Sequence, residues 1–188
     1  QFLIEKWGVG GEKIASIYFG VPLHPAKAVK PAQLPGGWGD FVFTAGSIEP
    51  YRSFEDIVKC AEHSRKSLGR PVRIMVAGSP RTGMDKYGTH LRRMAEGAGV
   101  PDDICWAGQL SHEEMTWCYR NCSAFVMTSR VEACPNTVLE AMACGAVCIA
   151  ADNPPLPEFF EDAAVYYPPG DGPALAARIQ EAISMAGP

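Results

Sequence analysis

Two short apolar runs, Ala124 to Met127 and Ala146 to Ala151, stand on either side of a single helical stretch, and few folds accept that order. The first run has strand composition and ends in the polar Thr128-Ser129-Arg130. Pro135 can open a helix, because its missing N–H would have no intrahelical partner and its φ is already suitable. Val138, Leu139, Ala141 and Met142 continue at helical spacing, and Gly145 supplies a residue tolerant of φ > 0 at the helix end. Strand, loop, helix, glycine and strand in direct succession make a βαβ unit, whose strands lie parallel because the helix carries the chain back along the sheet.

The rest of the chain repeats that alternation. Strands are expected at Phe41 to Ala45, Val72 to Ala77, Ile104 to Ala107 and Ala164 to Tyr167. Helices are expected after each. One is capped by Ser53 with Asp56 three residues on imitating a capping box, and carries an apolar stripe of Phe54, Ile57, Val58, Ala61 and Leu68. Another spans Asp85 to Gly97. A third opens on the capping box Ser111-His112-Glu113-Glu114 and runs through Tyr119. The last two cover Pro157 to Phe160 and Gly172 to Met185. This order predicts an α/β fold, a doubly wound parallel sheet of Rossmann-like type over residues 41–188. Residues 1–40 read as a crossover or linker segment. It holds a short helix at Phe2 to Trp7, a strand-like alternation at Ile14 to Phe19, and a loop rich in Pro, Gly and Lys from Pro22 to Asp40.

A chain of 188 residues, 47% hydrophobic and 20% charged, suits one globular domain. Its net charge of −4 gives no reason to expect nucleic acid or an acidic membrane surface as partner. No apolar run approaches the roughly 20 residues of a membrane span, and no secretion signal is present. The opening Gln1-Phe2, without Met, points to a piece of a longer protein. The seven cysteines are odd in number and form no Cys-x-x-Cys pair, and Cys118 and Cys122 are too few for a structural zinc. Buried small side chains in a cytoplasmic protein are the expectation, with no metal and no cofactor. Rival motifs fail on their own residues. The stretch 78–85 has P-loop glycine spacing, but Met84 and Asp85 stand where Lys and Ser or Thr are required. Trp7 to Gly11 lacks the third glycine of a dinucleotide fingerprint, and no Asp-x-Asp pair is present.

Two carboxylates flank the loop-to-helix turn of the central unit. Glu132 lies just past the strand, and Glu140 lies in the second turn of the helix, where side chains lean back toward the helix mouth. That mouth, with unpaired N–H groups and the positive end of the dipole, suits phosphate. Acids on either flank suit hydroxyls, and a nucleotide or a phosphorylated sugar offers both.

Residues Ser129 to Gly145 read S-R-V-E-A-C-P-N-T-V-L-E-A-M-A-C-G. This frame resembles "S-x-x-E-G-F-P-N-x-x-L-E-A-M-A-C-G" of the donor-binding, C-terminal half of GT-B glycosyltransferases, in the large retaining family called group 1 or family 4. The stretch G-V-G-G-E-K-I-A-S-I-Y-F-G-V-P is similar to that family's entry into its second domain. The resemblance runs from about residue 10 to 185 and is specific mainly at 129–145.

It implies a domain that binds a nucleotide-diphosphate sugar. The catalytic partner and the acceptor site would lie on an N-terminal acceptor-binding domain of the same protein, absent from this chain. The full-length protein would be cytoplasmic or peripheral at a membrane, and this fragment alone would transfer nothing. By the resemblance Glu132 contacts hydroxyls of the transferred sugar, although a nucleophilic role suits its loop position too. Glu140 takes the ribose hydroxyls. Asn136, Thr137 and Val138 offer backbone N–H groups to the diphosphate and sugar. Leu110 lies where relatives lay the base against the chain, and Glu158 matches a conserved-motif acid after the next strand. The motif "G-R-x-x-x-x-K" on the diphosphate becomes Gly46-Ser47 with Arg52 in the place of the Lys, so Ser47 offers a neutral hydroxyl where a guanidinium is expected. Ala133 stands where the family has Gly. Plainer readings are a solvated charge at Arg52, solvated acids at Glu132, Glu140 and Glu158, a cap-region residue at Asn136 and a core side chain at Leu110. Alternative functions are a nucleotide-sugar epimerase or hydrolase on the same architecture, or a donor-binding module without catalysis.

Overall fold

Six four- or five-residue strands, each followed by a helix or a helical turn, form one parallel sheet in the computed structural model, which describes residues 2–15, 17, 20–21, 27–83 and 85–185. In chain order the elements are α1 (Phe2–Trp7), β1 (Val42–Ala45), α2 (Glu55–Ser67), β2 (Ile74–Ala77), α3 (Asp85–Ala98), β3 (Ile104–Gly108) and α4 (His112–Asn121). They continue with β4 (Ala124–Met127), α5 (Asn136–Ala143), β5 (Cys148–Ala151), α6 (Leu156–Phe160), β6 (Ala164–Tyr167) and α7 (Gly172–Met185). Every strand pair is parallel and the spatial order is β3-β2-β1-β4-β5-β6. The four inner strands are buried at every residue. That is why they read as apolar runs interrupted only by Thr44, as strands covered on both faces do. The edge strands β3 and β6 are only partly buried.

The helices divide into two groups. α2 packs on α3 and α7, and α4 packs on α5. Right-handed crossovers put the groups on opposite faces of the sheet. Behind the central strands, Tyr119 of α4 meets the rings of Phe43 and Phe125 edge-on at 5.3 Å each. All three rings are almost wholly buried, each contributing on the order of 2 kcal/mol by area alone.

The sequence reading holds for the element order and misjudges four details. First, β1, β2 and β5 begin one or two residues later than expected, at Val42, Ile74 and Cys148, because strand ends are set by ladder bonds rather than by apolar composition. Second, the capping box at Ser53 does not form. A 3₁₀ turn over Pro50–Arg52 ends at Ser53 in the left-handed conformation, φ 50°, and α2 starts two residues later with Phe54 at its cap and no side-chain cap bond. Third, Leu68 falls past the last residue of α2 and is exposed rather than on the apolar stripe. Fourth, of the strand expected over 14–19, Ser16, Tyr18 and Phe19 lie outside the described residues, and Ile14, Ala15 and Ile17 carry no strand. By contrast, the box at Ser111 forms in full. The Glu114 N–H donates to Ser111 Oγ at 3.2 Å, and the Ser111 N–H donates to Glu114 Oε2 at 2.8 Å. No helix among the described residues is long and apolar enough to cross a membrane.

Candidate functional site

The winding of the sheet reverses between β1 and β4, since β2 and β3 are laid on one side and β5 and β6 on the other. Loops that diverge from such a point leave a crevice above the strands' carboxyl ends, where open α/β sheets bind their ligands. Both loops here carry residues singled out by the sequence: Gly46, Ser47 and Arg52 after β1, Glu132 after β4.

The floor of the crevice is made by backbone. The Gly46 N–H donates to Ala77 C=O at 2.9 Å, Ile48 N–H to Ser79 C=O at 3.1 Å and Gly78 N–H to Gly108 C=O at 2.7 Å. The β1 loop is thus joined to the end of β2 and to the β2 loop, and the β2 loop to the last residue of β3. Gly78 sits at φ +128°, and a Cβ there would lie 1.9 Å from the Gly46 carbonyl oxygen. Gly46, at φ +148°, would place a Cβ 2.9 Å from Arg52 Cζ. Glycine at 46 therefore lets the guanidinium lie flat on the loop.

Arg52 and Glu132 meet across the switch point, Nη1 to Oε1 at 2.6 Å, with only 14% and 8% of their side-chain surfaces exposed. The pair is close but not aligned as a hydrogen bond: Glu132 Oε1 and Arg52 Nε are both buried without a hydrogen-bond partner. Arg52 Nη1 also donates to Ser129 Oγ at 3.4 Å. The Thr128 hydroxyl donates to the Arg52 carbonyl. Behind them Arg130 ties the two loops together. Its N–H donates to Tyr51 C=O at 2.7 Å, its Nε to Ser53 Oγ at 2.9 Å, and its Nη2 lies 3.6 Å from Asp56 Oδ2. Asp56, read from sequence as a capping acid, is buried instead and accepts from the Tyr167 hydroxyl at 3.0 Å and the Gly170 N–H at 2.9 Å. Burial, and then the Asp56 charge, push the Tyr167 hydroxyl far above the usual tyrosine range.

A cleft of about 500 Å³ opens beside this pair. Gly46, Ser47, Leu110, Thr137 and Glu140 line it together. Arg52 adjoins it through Gly46. Asn136 is exposed and Val138 buried, and neither lines the cleft. The Val138 N–H already donates to Pro135 C=O at 3.1 Å, which leaves the N–H groups of Asn136 and Thr137 as the first-turn donors of α5. Thr137 Oγ1 is buried with no partner. Leu110 both lines the cleft and packs on the core. Glu158 lies in the short helix α6, outside the cleft.

Three contributors were not read from the sequence. Tyr119 donates to Glu140 Oε2 at 3.0 Å. Burial, and then the Glu140 charge, raise its pKa well above the usual value, so it stays a donor. Arg81, on the loop after β2, lines the cleft, and its Nε stands 3.0 Å from Oε1 of the buried Glu49. The basic residue in the glycine-bearing loop 78–83 was a signal for Arg81. Nothing local pairs Tyr119 with Glu140 or Arg81 with Glu49. Among the described residues no group of three or more His, Cys, Asp or Glu side chains is placed to hold a metal ion.

The family model described as "Glycosyl transferases group 1" matches residues 31–186. The chain is 28% identical over 187 residues to a D-inositol 3-phosphate glycosyltransferase of Streptomyces bingchenggensis (strain BCW-1), covering 94% of this chain and 41% of that protein. Among solved structures it resembles a glycosyltransferase from Rickettsia africae ESF-5, with a TM-score of 0.83 at 17% identity over 99% of this chain and 51% of that one. It also resembles Anabaena Alr3699/HepE in complex with UDP-glucose, with a TM-score of 0.69 at 19% identity over 78% and 40% of the two chains. The chain spans about two fifths of the length of the curated relative.

Proposed function

The chain belongs to the glycosyl transferases group 1 family, and from that premise we propose that it is a donor-binding domain that takes a nucleotide-diphosphate sugar. One observation carries the reading. Thr137 and Glu140 of α5 and Ser47 of the β1 loop line one cleft, and the Arg52–Glu132 pair adjoins it at the switch point. The diphosphate would lie at the amino end of α5, taking the N–H groups of Asn136 and Thr137. Arg52 would bind it bidentately, and Glu140, oriented by Tyr119, would accept from the ribose hydroxyls.

Departure of the diphosphate during transfer builds negative charge where those donors converge, and fixed donors stabilise it without reorganising. Binding of the diphosphate by Arg52 would release Glu132 to the sugar hydroxyls. Transfer with retention, an acceptor site on a further domain of the protein, work in the cytoplasm and the inactivity of this chain alone complete the reading. Titration calorimetry of the 188-residue chain with UDP, GDP and ADP tests it. Binding of one of the three is expected, and loss of that binding in Glu140→Ala. A folded chain that binds none of them would overturn the assignment.

A further inference from the structure

We propose that Arg81, on the loop after β2, is a second diphosphate cation of this site and is oriented by the buried carboxylate of Glu49. The inference rests on the donor-binding reading above and deepens it. The charge of Arg52 is matched by Glu132 at 2.6 Å, and Glu140 adds a further acid to the cleft wall. A diphosphate would therefore enter a pocket with no net positive charge from these three residues, at a cost that grows as water is excluded. Ser47 contributes a hydroxyl, 3.4 Å from the Tyr51 hydroxyl, and no charge.

Arg81 is the one arginine or lysine among the described residues lining the cleft. Its position is fixed from two sides. The Ile48 N–H to Ser79 C=O bond holds the β2 loop against the β1 loop, so position 81 and position 47 open on the same space. Glu49, whose side chain is 7% exposed, engages Arg81 through Nε. The remaining guanidinium donors stay on a side chain that is 72% exposed, free to make the two parallel bonds that suit phosphate. Pairing with the buried Glu49 cancels the formal charge of Arg81 as Glu132 cancels that of Arg52, so this pairing brings the cleft unengaged donors and no net charge. It is a good way of aiming a fork. The two cations then divide the work: Arg52 packs on Gly46 beneath the ligand, and Arg81 closes from the cleft rim.

The test is calorimetry of the 188-residue chain with UDP in wild type, Arg81→Ala, Arg81→Lys, Glu49→Gln, and the double variant Ser47→Arg with Arg81→Ala. Circular dichroism checks that each variant is folded, since Arg81→Ala leaves the buried Glu49 carboxylate without its guanidinium. Wild type is expected to bind UDP, Arg81→Ala to bind it at least about tenfold more weakly, Arg81→Lys to recover only part, and Glu49→Gln to lose less than Arg81→Ala. Arginine at 47 should restore most of the affinity in the double variant, since it delivers charge to the same space from the adjoining loop. The affinity loss should also shrink as salt rises. Wild-type binding with Arg81→Ala unchanged overturns this inference and leaves the donor-binding reading intact. A wild type that binds none of UDP, GDP and ADP overturns both.

Discussion

At the scale of single residues, the site depends on partners that sequence distance conceals. Glu140 is legible in the frame around Pro135, but the hydroxyl that aims it belongs to Tyr119 on another helix. Tyr119→Phe keeps the ring against Phe43 and Phe125 and removes only the donor. We expect a stability loss of about 1 kcal/mol and a fall in UDP affinity of about three- to tenfold, the size of one net hydrogen bond. Thermal unfolding and calorimetry on the same sample check the two parts separately. Equal affinity in the variant would mean that Glu140 is placed by packing alone. Arg52 was recognisable as the candidate phosphate cation of the β1 loop. Its engagement by Glu132 was not, because local pattern says nothing of which loops cross at a switch point. Ser53 and Asp56 show the opposite error, where a good local capping pattern lost to tertiary demands. Asp56 is taken by Tyr167, Gly170 and Arg130, and a buried acid with those donors outweighs one cap bond worth about 1 kcal/mol.

The elements themselves were legible almost throughout, since a parallel sheet covered on both faces writes its strands as short apolar runs and its helices as amphipathic ones. β4, β6 and α7 match expectation at both ends. What the elements hide is how their connecting loops join. Gly78 reads as an ordinary punctuating glycine, yet it lies against the Gly46 carbonyl of the β1 loop with space for no side chain. Gly78→Ala should therefore force the two loops apart and strain the backbone at φ +128°, lowering stability by about 3 kcal/mol. A urea titration checks this. An unchanged midpoint would mean that the loop junction yields without cost. Glycine-to-alanine at Gly99, which has open space around it, tests positive φ without the clash and should cost less.

For the whole molecule, the buried thiols and phenols set a limit on the alkaline side. All seven cysteines are free. Burial pushes the thiols of Cys60, Cys118 and Cys148 from the usual 9.0 up to about 12. Burial also leads the upward shifts of Tyr87, Tyr119 and Tyr167. The native chain thus keeps protons that the unfolded chain releases above about pH 9, so stability is complete below that value and falls as pH rises toward 12. The decline should approach about 1.4 kcal/mol per pH unit for each such thiol. Urea midpoints measured from pH 7 to 11 check it, and a flat profile would contradict the burial of these groups. The floor of the cleft behaves differently from its walls. It is laid by main-chain bonds at Gly46, Ile48 and Gly78, and it tolerates no side chain at its two glycines. The walls are another matter: Ser47 and Arg81 reach the cleft from loops held by that floor, so replacements there would change what the cleft accepts and leave the scaffold as it stands.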